Sequence, residues 1–177
     1  MTMKKKKRNL FKRIFNKVKI FFVRIRNYFL CMQYPFLHIR NVGNDKSCGY
    51  RYTWYDSIPE GWRKAFGKQL LKELKKILKK NHELKTFRFH QIKEKYGMLR
   101  IDCGPTSSEV LKLFDKYENI SMQYCINCGE KAKYITDGWI EFLCEGCFKR
   151  DMLHRNQWKE LSPEGKSKYL EEHIIKN

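Results

Sequence analysis

The first thirty residues carry a hydrophobic period of helical length. Phe11, Ile14, Phe15, Val18, Phe21, Phe22, Ile25 and Phe29 recur at i, i+3, i+4 and i+7 spacing. Lys12, Arg13, Asn16, Lys17, Lys19, Arg24 and Arg26 fill much of the remaining surface. This pattern predicts an amphipathic helix over 1–30. The period is then lost: Pro35, Gly43, Asn44, Asp45 and Gly49 mark a connecting loop over 31–58, with a short aromatic strand near 50–55.

A stronger helix follows. Ser57 is a cap candidate, Pro59 sits near the first helical position, and Glu60 falls where the helix dipole favours an anion. Trp62, Phe66, Leu70, Leu74 and Leu78 repeat every four residues, which is a core-facing stripe running to residue 80. The period switches to two over 86–103, where Phe87 and Phe89 alternate before Gly97, and Leu99, Ile101 and Cys103 alternate after it. This predicts an antiparallel hairpin with a three-residue loop. Thr106 to Ser108 cap a third helix that carries Val110, Leu113, Phe114 and Tyr117. Residues 59–120 thus read as an α-β-β-α core, 121–160 as a separate module, and 161–177 as a polar helical tail opened by Ser162 and Pro163. The fold class is α+β.

The module is defined by four of the seven cysteines. Cys125 and Cys128 form one CxxC pair, Cys144 and Cys147 the other, with fifteen residues between them. Two such pairs present four soft thiolates to one cation, as a tetrahedral zinc ion requires. Asp137-Gly138 is a hairpin turn dipeptide between the pairs, and a helix is expected from about 145 to 159. Knuckle, hairpin and helix in that order predict a treble-clef-like site holding one structural zinc. A thioredoxin-like redox site needs one CxxC beside a βαβ pattern, which this chain lacks. The odd cysteine count and the paired CxxC spacing point to a reducing, cytoplasmic environment.

Charge narrows the partners. The formal net charge is +19, and residues 1–30 contain eleven Lys and Arg with no acid. A polyanion is the expected partner. The N-terminal helix suits an anionic bilayer, with Phe11, Phe15 and Phe22 buried and Lys12 and Arg13 on phosphates, which would place the chain peripherally at the inner membrane surface. It suits equally a basic face turned toward nucleic acid, an adaptor surface for a protein partner, or a solvated arm. On the second helix, Lys64, Lys68, Lys72, Lys75 and Lys76, together with Arg88 beyond it, are candidate phosphate contacts. Arg51, Tyr52, Trp54, Tyr55 and Phe89 interleave charge with rings suited to base stacking.

Catalytic chemistry finds little support. The five histidines are scattered, and His90, Glu94 and Asp102 near the hairpin are the only conceivable acid–base cluster. Four cysteines close a zinc shell and leave no place for an activated water. The stretches IPEGWRKAFGKQLLKEL, IKEKYGMLRIDCG and GWIEFLCEGC, with the paired CxxC, resemble a family of uncharacterised small bacterial and phage proteins. That resemblance spans roughly residues 50–150. It implies a zinc-bearing domain of phage or mobile-element origin and carries no activity. The reading is therefore a zinc-binding accessory protein that binds nucleic acid without catalysis, with a membrane-surface or protein-partner adaptor as the alternative.

Overall fold

The helix expected at the start of the chain forms and runs slightly further, with α1 spanning Met3–Gln33. It stops ahead of Pro35, which has no N–H to donate, and a 3-10 turn follows over Pro35–Leu37. The computed structural model describes residues 3–39, 50–136, 139–151 and 158–160. The chain divides into two units, Met1–Trp54 and Tyr55–Asn177.

In the first unit Cys31, Tyr34, Phe36 and Leu37 are buried, while Phe15, Phe21, Phe22 and Phe29 are exposed. Tyr50 stacks edge-on against Tyr28 at 5.1 Å and against His38 at 5.4 Å. The strand expected near 50–55 does not form. Trp54–Ser57 is a 3-10 turn instead, closed by Ile58 N–H donating to Tyr55 O at 3.3 Å. Asp56 pairs with Arg63 at 3.3 Å, so the segment satisfies itself locally and finds no ladder.

The helix predicted over 59–80 is present in three pieces: α2 (Glu60–Trp62), a π turn (Arg63–Gly67) and α3 (Lys68–Lys80). Trp62, Phe66, Leu70, Leu71, Leu74 and Leu78 are buried, as their period requires. β1 (Phe89–Lys95) and β2 (Met98–Cys103) form an antiparallel hairpin with a bulge between Phe89 and Gln91. Lys95 pairs with Met98, so the loop is the two residues Tyr96 and Gly97 rather than three. Both have positive φ, +53° and +74°, which defines a type I′ turn.

Helix α4 (Ser108–Ser121) buries Val110, Leu113, Phe114 and Tyr117. It also closes the outer edge of β2. Leu99 N–H donates to Ser121 Oγ at 2.9 Å and Ile101 N–H to Glu118 Oε1 at 2.9 Å. Backbone donors that a third strand would have taken are thus satisfied by side chains. Lys116 and Glu73 tie α4 to α3 at 2.8 Å.

The cysteine module carries β3 (Tyr134–Thr136), β4 (Phe142–Leu143), α5 (Glu145–Asp151) and β5 (Trp158–Glu160) in a sheet of order β4-β3-β5. The helix expected over 145–159 is therefore shorter. Trp158, Lys159 and Glu160 pair with β3, where Thr136, Ile135 and Tyr134 offer an open antiparallel edge. Completing that ladder outweighs a helical continuation. The turn at 137–138, the loop at 40–49 and the tail over 161–177 lie outside the described residues.

Candidate metal centre

The first cysteine pair is shaped by a closed turn of backbone. Cys125 N–H donates to Glu130 O at 2.7 Å, and Gly129 N–H returns to Cys125 O at 3.0 Å. Gly129 has φ +89°, a left-handed conformation that a side chain would strain. The second pair sits where β4 runs into α5. Cys147 N–H points at Cys144 Sγ at 3.4 Å, and Phe148 N–H reaches Cys144 O at 2.9 Å. Leu143 and Phe148 pack with Cys125 and Cys147, and Tyr134 stacks on Phe148 at 4.1 Å.

The two pairs converge. The four Sγ atoms of Cys125, Cys128, Cys144 and Cys147 all lie within 4.8 Å of one another, with Cys128 and Cys144 at 3.4 Å. None is in a disulfide. A tetrahedral zinc with Zn–S bonds of about 2.3 Å places its sulfurs about 3.8 Å apart, which matches this cluster. The residues present therefore fit a metal ion held by four sulfurs.

Protonation follows from the surroundings. Burial pushes the Cys147 thiol up to about 12 and also raises Cys128. At Cys125 burial acts the same way, but backbone hydrogen bonds from Cys144, Cys128 and Asn127 bring the thiol below its ordinary value. A divalent cation binds the thiolate forms of its ligands and so works against the burial that raises Cys128 and Cys147.

The knuckle is fixed to the helical core. Gly61 N–H donates to Ile126 O at 2.9 Å, and Trp62 Nε1–H donates to Tyr124 O at 3.2 Å. A Cβ on Gly61 would stand 2.2 Å from Cys125 O, so backbone meets backbone there. The sequence does not single out Gly61, because the carbonyls it admits come from a segment more than sixty residues away.

The other candidate residues are not drawn to this centre. Lys68, Lys72 and Lys76 stand exposed in a row along α3, Lys75 is half-buried, and Lys64 pairs with Glu60 at 2.6 Å. Arg88 is half-buried and donates to Phe87 O at 2.6 Å. Phe89 is core, packed on Phe87 and Phe114, so it is not a stacking surface. Arg13, Phe15 and Phe22 are exposed on α1; the side chains of Phe11 and Lys12 lie outside the described residues. Glu94 faces the side of the hairpin with Ile92 and accepts Gly97 N–H at 2.6 Å, whereas Asp102 pairs with Gln91 on the opposite face. No protein-family model, curated protein or solved structure matches the chain.

Proposed function

We propose that the chain is a non-enzymatic, zinc-bearing protein that lies on an anionic membrane surface through α1. The observation that carries this is the exposed apolar face of α1. Phe15, Phe22 and Phe29 are each exposed by 63–64%, an arrangement that water disfavours and an acyl-chain boundary accepts. An apolar groove of Phe15, Val18, Phe22 and Val23 is edged by Lys19 and Arg26. At 3.6 residues per turn, Arg13, Lys17 and Arg24 border the other side. Cations on both flanks of an aromatic face, with no acid in residues 1–30, complement lipid phosphates. Nucleic acid would engage the cations and leave the phenylalanines in water, so the bilayer is the better fit. No helix among the described residues is long and apolar enough to cross a membrane, which suits a surface position.

Zinc is assigned to the thiol cluster from the chemistry of its donors. Four cysteine sulfurs fill a tetrahedral shell, so the ion's role is structural and the second unit is a module for display. The free thiols agree with the cytoplasmic leaflet.

Vesicle co-sedimentation of the full chain tests the membrane reading. Phosphatidylserine-containing vesicles are expected to sediment it and neutral phosphatidylcholine vesicles to do so far less, with 1 M salt releasing it. The double variant Phe15→Asp, Phe22→Asp should fold normally, because both rings are exposed. It should lose about 3 kcal/mol of partitioning, roughly a hundredfold. Unchanged sedimentation of that variant contradicts the proposal.

A further inference from the structure

The hairpin tip holds a side chain of the wrong kind for its backbone. A type I′ turn favours Asn, Asp or Gly at its first central position. Tyr96 occupies it at φ +53°, where a bulky side chain is an outlier, and leaves 56% of its surface exposed. Burial therefore does little to offset the strain, and the ring projects from a rigid turn.

A second exposed ring arises at the same edge. Gly97, the next residue, is so close to the cysteine module that a Cβ there would stand 2.8 Å from Phe142 and 3.0 Å from Ile140. Trp139 immediately precedes Ile140 and is 69% exposed, the most exposed large apolar side chain among the described residues. Its backbone is held in place by Thr136 Oγ1–H donating to Trp139 O at 2.6 Å. Tyr96 and Trp139 thus each adjoin one partner of a single close contact, on fixed backbone.

Positive charge leads up to them. Lys95 Nζ lies 5.2 Å from the Tyr96 ring centre, and Lys93 shares its face of β1 two residues back. Both lysines are exposed. The intervening Glu94 turns to the other face, where it caps Gly97 N–H. We propose that Tyr96 and Trp139, approached along Lys93 and Lys95, form a stacking platform for the unpaired bases of a single-stranded nucleic acid. Rings offer a surface to any base, and lysines track the phosphates without reading sequence. A duplex keeps its base faces inside the stack and presents nothing for these rings. This site is separate from α1, and it holds whether or not α1 meets a membrane.

The test is fluorescence anisotropy with the full chain and labelled 12-nucleotide oligo-dT, oligo-U and a blunt duplex at low salt. Tyr96→Asn is the informative variant, since asparagine suits the turn and preserves folding while removing the ring. The expected results are tighter binding of the single strands than of the duplex, a loss of about tenfold for Tyr96→Asn and again for Trp139→Ala, and quenching of tryptophan fluorescence that Trp139→Ala abolishes. The cations of α1 are common to all three proteins, so the ratio between them reads the rings alone. Unchanged affinity in Tyr96→Asn, or equal binding of duplex and single strand, overturns the proposal.

Discussion

Cys128→Ser is expected to abolish metal binding and unfold at least residues 121–151. The hydrophobic cluster around the cage holds four buried residues, Cys125, Leu143, Cys147 and Phe148, and the module's three strands are each three residues or shorter. Such a module has too small a core to fold unaided. Structural zinc contributes about 10–16 kcal/mol of binding free energy to comparable peptides, as much as the whole stability of a typical domain. Losing one thiolate removes much of that and leaves three thiols packed without a cation. Amide exchange should rise across 121–151 in the variant, and in the wild type treated with a chelator. Cys103→Ser is the control: that thiol is half-buried and is not among the four clustered sulfurs, so metal content should be unchanged.

Gly61→Ala should destabilise the second unit as severely as any substitution that leaves the thiols alone. The new methyl would sit 2.2 Å from Cys125 O and 2.5 Å from Ile126 O. Both are backbone atoms of the knuckle, which cannot rotate aside as a side chain would. Relief requires parting α2 from the knuckle, which breaks the Gly61 N–H bond to Ile126 O. We expect a loss of about 3 kcal/mol, seen as a fall in Tm of roughly 10 °C. The zinc content of the folded protein should stay the same, which separates this effect from ligand loss. Gly146→Ala makes the contrast: nothing lies within 4 Å of its added methyl, and alanine favours the helix. Its Tm should hold or rise.

The parts of this structure that were legible in the sequence share one property: their period is set by local geometry. The Trp62-to-Leu78 stripe, the alternation around Gly97 and the two CxxC pairs each state their face or ligand at fixed spacing. What was not legible depends on contacts distant in sequence. Trp158 to Glu160 look helical by neighbours alone, and only the open edge of β3 makes them a strand. Phe89 looks like a ring beside Arg88 ready for stacking, and only Phe87 and Phe114 show it to be core. Gly61 carries no local signal for the carbonyls it must admit. Tyr96 was half visible, because Tyr-Gly stands where Asn-Gly is usual, but the hairpin register was needed to place it in the turn. The same locality explains why the cage was found and its docking was not.

Four sulfurs holding one zinc are expected to hold residues 121–151 in their fold. Native mass spectrometry of the full chain, produced without added metal and kept reduced, tests it most directly. The expected result is a single species heavier than the chain by one zinc, which a chelator strips as amide protection over 121–151 is lost. A metal-free chain that keeps that protection would contradict it.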